Sequence, residues 1–203
     1  MDKDFLLLKL GRAVWVSLIE DKKPEDALRY YVGYIDNLKQ CSRDKKYKQL
    51  ALDEISYSEK LFNDKMLKLA NDSLDQKNYF NAVYCYGVYF RFKHDDVTVL
   101  KNYIKALTEI GQSDLAIDVL NHIGTVDCAN DAQLCKLFAE AYAKGNDPKM
   151  AVSYLRKYFA ILENNVTAED YNLLGCYYHN LYEYNHDMLN ADASMKALML
   201  HII

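Results

Sequence analysis

A unit of about 34 residues recurs along this chain of 203 residues. The clearest copy carries Leu100, Tyr103, Ile104 and Leu107 at helical spacing. Residues of matching character stand one period earlier at Met66, Leu69, Ala70 and Ser73, one period later at Cys135, Phe138, Ala139 and Tyr142, and again at Tyr171, Leu174, Gly175 and Tyr178. Such a period predicts stacked helix pairs, because a single pair cannot bury its apolar face alone.

The remaining sequence also favours helices. The chain has only two prolines and seven glycines to interrupt long elements. It lacks the alternating apolar runs closed by Asn-Gly or Asp-Gly turns that indicate hairpins of strands. The apolar spacing predicts helices over 3–20, from Pro24 onward, 63–76, 79–93, 96–110, 113–123, 131–144, 148–162, 167–181 and 188–202.

The turns within the helix pairs have recognisable boundary residues. Gly111 and Gly145 are expected to take the left-handed conformation that often ends a helix. Ser113 and Asp147 are expected to cap the helices that follow, and Pro148 suits a first helical turn.

The chain divides into an irregular and a regular part. Residues 1–62 are expected to hold a degenerate helical repeat, in which Gly11 replaces a large residue, followed by an extra helix or a long continuation over 42–62. Residues 63–203 form the regular array, which could continue past residue 203 in a longer protein. Its apolar end, Ala-Leu-Met-Leu-His-Ile-Ile, has no polar terminal face, so that end either meets further repeats or docks onto a second subunit.

Composition narrows the classes of partner. The formal net charge is −4 and no basic stripe is present, which argues against nucleic acid. No apolar run reaches the roughly 20 residues that span a bilayer, and no signal peptide is recognisable. Five cysteines without CxxC spacing are expected to be free, with Cys85, Cys135 and Cys176 on apolar stripes. A reducing, cytoplasmic location is therefore predicted.

The recurring residues resemble the tetratricopeptide repeat (TPR). Its first half has a large residue, then Leu-Gly, then Tyr, which Tyr171, Leu174, Gly175 and Tyr178 match. Its second half has a small residue where the two helices cross most closely, and Ala82, Ala116 and Ala151 stand at those places. The closing proline of the pattern is absent throughout.

The resemblance implies an all-α fold, a right-handed α-α superhelix of about five helix pairs whose concave groove is lined by the first helix of each pair. Members of this family usually bind an extended peptide or a partner helix in that groove. By register, the partner-binding residues would be Asn71, Lys101, Lys105, Lys136, Glu140, Lys144, Asn172, His179 and Asn180. Thr108 would also face the groove.

Two interpretations of the groove lysines remain open. Lysines and asparagines on these helix faces grip an acidic C-terminal tail in some members of the family. Alternatively, the lysines are solvated and paired locally, as Lys136 and Glu140 could be at i,i+4 spacing. The tyrosines cluster on the second helices, where about half are expected to pack between repeats, and a surplus left exposed would form an aromatic patch.

No constellation for catalysis or metal binding is recognisable. His179 and His186 are too few for a metal site, and no nucleophile triad or phosphate-binding glycine loop occurs, so no cofactor is expected. The predicted function is a non-catalytic scaffold for a protein or peptide partner. The alternatives are the TPR arm of a larger enzyme such as a transferase, and a secretion-type chaperone that holds apolar partner helices.

Overall fold

The computed structural model describes residues 3–92, 96–122 and 131–185, and these ranges contain α-helices, one short 3-10 helix and no strand. The α-helices of these ranges are α1 Lys3–Glu20, α2 Pro24–Cys41, α3 Lys48–Asp75, α4 Tyr79–Phe90, α5 Val97–Glu109, α6 Ser113–His122, α7 Ala132–Lys144, α8 Pro148–Leu162 and α9 Ala168–Asn185. The 3-10 helix covers Glu163–Asn165. The predicted helix over 188–202, and with it any self-association through that segment, lies outside the described residues.

The chain forms two compact units, Met1–Asp96 and Val97–Ile203. In the first unit each helix packs on the next, and α1 also contacts α3 while α2 contacts α4. In the second unit the consecutive helices pack in the same way, and α5 also contacts α7. Contacts between helices two apart are the stacking of neighbouring pairs that the period predicts.

Helix α3 departs from the sequence prediction. The separate helix expected from residue 63 does not exist, because Lys48–Asp75 is one helix of 28 residues that runs through the expected division at residue 62. No glycine or proline occurs within it, so nothing in the backbone interrupts it. The boundary between the two compact units falls after Asp96.

Four alanines are fully buried in the second helices of the pairs. Ala27, Ala82, Ala116 and Ala151 are each 0% exposed. A small side chain lets the backbones of paired helices approach, which is the physical reason for a small residue in the repeat pattern. The burial of the last three alanines agrees with their predicted positions.

The turn within each of these four pairs has the same backbone geometry. Exactly one residue, five positions before the alanine, has a positive φ: Lys22 (59°), Lys77 (57°), Gly111 (76°) and Asn146 (64°). The next residue donates its N–H to a carbonyl five positions back, at 2.8 to 2.9 Å, in the pairs Lys23–Leu18, Asn78–Ser73, Gln112–Leu107 and Asp147–Tyr142. This pattern is the Schellman motif, which satisfies carbonyls that the helix end leaves free.

The predicted boundary residues of these turns are partly correct. Gly111 is left-handed as expected, and the Asp147 carboxylate accepts the N–H of Met150 at 3.1 Å as a cap. The prediction for Gly145 is wrong, since its φ is −79°. A Cβ there would lie 3.1 Å from the Ile117 side chain of α6, so close helix packing accounts for this glycine. Ser113 is not the cap but the first residue of α6, and it is buried.

Replacing Lys77 with glycine is expected to stabilise the protein. The left-handed conformation costs a residue with a Cβ roughly 1 kcal/mol or more, and glycine avoids that cost. We expect Lys77→Gly to raise the free energy of unfolding by about 0.5–1 kcal/mol and the matched change Gly111→Ala to lower it by about 1 kcal/mol. Urea denaturation followed by circular dichroism measures both, and an unstable Lys77→Gly variant would contradict the assignment of strain.

An aromatic cluster forms the core of the first unit. Trp15 is 0% exposed and makes edge-on contacts with Tyr31 and Phe62, with ring centroids 5.5 Å apart in both pairs. Tyr31 and Phe62 stack at 3.9 Å. The cluster joins α1, α2 and α3, so the N-terminal helices are held by more than pairwise packing.

A buried carboxylate also joins α1, α2 and α3. Glu54 of α3 accepts hydrogen bonds from Arg12 Nη1 and Tyr34 Oη at 2.7 Å, and from Ser58 Oγ at 3.2 Å. The Tyr34 ring lies against Gly11, where an added Cβ would be only 2.8 Å from it. Glycine therefore stands at position 11 because the ring that holds Glu54 needs that space.

Candidate partner-binding face

The predicted partner-binding residues fall mainly on the first helices of the second unit. We call the side of α5, α7 and α9 that carries them the first-helix face: Lys101, Lys105, Lys136, Glu140, Lys144, Asn172, His179 and Asn180. Asn71 belongs to α3 of the first unit. Its amide oxygen accepts a 2.6 Å hydrogen bond from Tyr86 Oη of α4, which gives it a partner within that unit.

Lys101 joins α5 to the start of α7. Its Nζ lies 2.6 Å from a carboxylate oxygen of Asp131. The other side of that carboxylate caps α7, since Asp131 Oδ1 accepts the N–H of Leu134 at 3.0 Å. Burial alone would raise the pKa of Asp131, but the hydrogen bonds from Lys101 and Leu134 outweigh it and the pKa is lowered.

Lys136 joins α7 to the start of α9. Its Nζ donates to Asp170 Oδ1 at 2.8 Å, and the hydroxyl of Tyr158 donates to the same oxygen at 2.9 Å. Asp170 is 4% exposed, so this is a buried carboxylate with a half-exposed ammonium. The hydrogen bond to Asp170 raises the pKa of Lys136.

The other oxygen of Asp170 completes a capping box. Asp170 Oδ2 accepts the backbone N–H of Thr167 at 3.1 Å and its hydroxyl at 2.8 Å, while the N–H of Asp170 donates back to Thr167 Oγ1 at 3.2 Å. The reciprocal bonds satisfy donors at the start of α9. Burial alone would raise the pKa of Asp170, but the bonds from Lys136, Thr167 and Tyr158 hold it well below its usual range.

Asp170 and Thr167 were not predicted as site residues, although two features of the sequence indicate them. Thr167 and Asp170 have the Thr-x-x-Asp spacing of a capping box. Lys136 and Asp170 are also 34 residues apart, one repeat period, so they occupy neighbouring places on adjacent first helices. The expected i,i+4 partner of Lys136 was Glu140, but the ion pair observed crosses to the next helix.

The middle of the first-helix face contains both paired and unpaired charges. Lys144 Nζ lies 3.6 Å from Glu109 of α5. Lys105 is exposed and forms no ion pair with any residue that the structure describes. Glu140 is half-buried, and its carboxylate has neither a hydrogen bond nor an ion pair among the described residues. Burial raises the pKa of Glu140, against the opposing effect of Lys136 and Lys144.

Three of the four lysines of the first-helix face are therefore paired with carboxylates. Lysines 101, 136 and 144 lie beside the carboxylates of residues 131, 170 and 109, respectively. The three ion pairs each join the first helices of neighbouring repeats and brace the face internally. An acidic tail would have to displace these intramolecular carboxylates to reach three of the four lysines.

The end of α9 adds a polar cavity to this face. Asn172, His179 and Asn180 are all exposed, and His179 Nε2 lies 3.5 Å from a Glu183 oxygen, a pair that is ionic only when the imidazole is protonated. A cavity of about 330 Å³ opens beside Asn180 and is also lined by Glu183 and Tyr184. Thr108, which was expected in the groove, is instead buried, and its hydroxyl donates to the Ile104 carbonyl at 2.7 Å.

The tyrosines pack as predicted in most of the second helices and in α9. Tyr86, Tyr89, Tyr158, Tyr177 and Tyr178 are buried. Tyr30, Tyr57 and Tyr184 are more than half exposed.

The predictions for the three cysteines on apolar stripes are correct at two positions. Cys85 and Cys135 are buried as expected, but Cys176 is exposed, so its assignment to an apolar stripe is wrong. Across residues 3–92, 96–122 and 131–185, no three His, Cys, Asp or Glu side chains converge as metal ligands would. No helix within the same ranges has the length and apolar character needed to cross a membrane.

Comparison with known proteins supports the fold. No known family profile matches this chain. The solved structure of MamA 41-end from Desulfovibrio magneticus RS-1 superposes with a TM-score of 0.54 at 16% identity, covering 96% of both chains. A MamA RS-1 ArsTM double mutant gives 0.53 at 17% identity, covering 95% of this chain and 94% of that one. The likeness shows an all-α, TPR-like array of helix pairs.

One curated protein matches in sequence. General transcription factor 3C polypeptide 3 from Homo sapiens is 25% identical over 114 residues, which is 54% of this chain. The matched region covers 13% of that protein, so this chain corresponds to a small part of the relative.

Proposed function

We propose that this protein is a non-catalytic scaffold that binds a peptide or helix of a protein partner along the first-helix face. The observation that carries the proposal is the arrangement of α5, α7 and α9. Their packed sides form the core, while ion pairs between neighbouring first helices hold the remaining side rigid and polar. A face that is already braced loses little conformational entropy on binding, which favours recognition.

The test locates the partner by crosslinking rather than by charge reversal. A photoreactive benzophenone amino acid replaces exposed Lys105 on α5 or Asn172 on α9, neither of which supports the fold. The control places it at exposed Lys149 or Ser153 on α8, the second helix of a pair. We expect the same partner to be crosslinked from both face positions and from neither control position, as read by mass spectrometry.

The outcome that contradicts the proposal is equally specific. A partner that crosslinks from α8 and not from Lys105 or Asn172 would place binding on the opposite helices. Lys136 is unsuitable for this experiment, because Lys136→Glu would set a second carboxylate beside buried Asp170 and unfold α9 locally.

An alternative with the same architecture is that this chain is the repeat arm of a larger enzyme. The relative that matches is several times longer than this chain, which is compatible with a repeat array inside a larger protein. The name of that relative refers to transcription rather than group transfer, so no observation favours a transferase. Reading the gene beyond codon 203 tests this alternative directly.

A further inference from the structure

We propose that the cavity between the α7–α8 turn and α9 takes a lysine or arginine side chain of the bound partner, with Glu183 as its counter-charge. This inference rests on the proposed function, because it names the chemistry that the first-helix face would recognise. It predicts a basic partner segment, in contrast to the acidic tail that the lysines alone suggest.

Three lysines of the first-helix face already form ion pairs within the protein. Lys101, Lys136 and Lys144 lie within 4 Å of Asp131, Asp170 and Glu109 respectively. A partner carboxylate would compete with carboxylates that are already in place and, for Asp170, buried. It would gain little from that exchange, because each lysine would lose one ion pair to form another.

The acceptors of the cavity are not paired with a lysine or arginine among the residues that the structure describes. Within those residues its polar lining consists of Asn146, Asn180 and Glu183, with the tyrosines 177 and 184. The ion pair that Glu183 forms there is with His179, and that contact is ionic only when His179 is protonated. Carboxylate and amide oxygens without a cation are complementary to an ammonium or guanidinium group.

The size and shape of the cavity also suit a single basic side chain. A volume of about 330 Å³ is at the small end of ligand pockets, which suits one long side chain better than a helix. Tyr177 is 8% exposed and belongs to the packed wall, while Tyr184 is 58% exposed and offers its ring to the opening. An aromatic face beside a carboxylate favours a cation that also carries an apolar stem.

The experiment uses the whole chain of 203 residues, labelled with ¹⁵N, at low salt and pH 8. Nα-acetyl-arginine amide is the probe, and Nα-acetyl-citrulline amide is its uncharged isostere. We expect the arginine probe to shift the side-chain amide signals of Asn146 and Asn180. We expect the citrulline probe to bind about three- to fivefold more weakly, the upper range for an exposed ion pair.

Matched variants decide the role of Glu183. Glu183→Gln is expected to remove the preference for arginine over citrulline, and Glu163→Gln, an exposed change outside the cavity, is expected to retain it. Equal binding of both probes by the unmodified chain, or an unchanged preference in Glu183→Gln, would overturn the inference. Crosslinking from Lys105 and Asn172 would still support the proposed function in that event, so the two failures are distinguishable.

Discussion

Replacing Asp170 with asparagine is expected to lower the free energy of unfolding by about 2–3 kcal/mol. The change keeps the side-chain shape but removes the negative charge on which the Lys136 ammonium, the Tyr158 hydroxyl and both Thr167 donors converge. Each oxygen of Asp170 accepts two of those donors, so two of them must then face the new amide –NH₂ group. The expected loss is at the lower end for a buried ion pair because Lys136 is half-exposed and can be rehydrated.

The pH dependence gives this prediction a second readout. The pKa of Asp170 is lower in the folded than in the unfolded chain, where an aspartate has a pKa near 3.9. The stabilisation is therefore fully present above about pH 4 and is lost as the pH falls below it. We expect the difference between the unmodified chain and Asp170→Asn to shrink between about pH 5 and pH 3.

Urea unfolding at several pH values checks both statements, with Glu163→Gln as a control that removes an exposed carboxylate. A difference that stays constant down to pH 3 would show that the carboxylate of Asp170 is not the titrating group.

Replacing Trp15 with alanine is expected to lower the free energy of unfolding by about 3–5 kcal/mol. The indole is fully buried against Tyr31 and Phe62, so its removal leaves a large cavity among three helices. Aromatic edge contacts are lost together with the buried area. The effect is expected on the first unit, where α1 would lose its main contact with α3.

Trp15→Phe tests the packing of the aromatic ring separately from the buried N–H donor of the indole. The indole Nε1 is buried and has no hydrogen-bond partner among the residues described by the structure. Phenylalanine loses some packing but also removes that unpaired donor, so the two terms oppose each other and a net change within about 1 kcal/mol is expected. Thermal unfolding by circular dichroism compares the two variants, and Leu10→Ala, at an exposed position, is the control. Equal losses for Trp15→Ala and Leu10→Ala would contradict the assigned core.

The helix pairs were predictable because the repeat places small and large residues at fixed offsets. Ala82, Ala116 and Ala151 could be assigned to helix crossings from spacing alone, and all three are fully buried. The same offsets would have identified Asn146 as the left-handed residue, since it lies five positions before Ala151 as Gly111 does before Ala116. Residue type pointed to Gly145 instead, but glycine also serves where helices touch.

The ion pairs of the first-helix face were harder to predict, because the residues that pair are distant in sequence. Local spacing paired Lys136 with Glu140, whereas stacking brings Asp170 to it from 34 residues away. Lys144 and Glu109 are related in the same way across neighbouring first helices. The cavity at the end of α9 has no sequence signature, because it arises from how the Asn146 turn lies against Asn180 and Glu183.

Because α3 is uninterrupted, the N-terminal region is expected to unfold differently from a typical repeat array. Repeat arrays commonly lose structure one repeat at a time, since each unit depends mainly on its neighbours. Here a single 28-residue rod carries both the Glu54 carboxylate that clamps α1 and α2 and the Met66 to Ser73 stretch that packs on α4. Its amide protons should consequently exchange with solvent in one concerted event, without a stepwise fraying from the amino terminus.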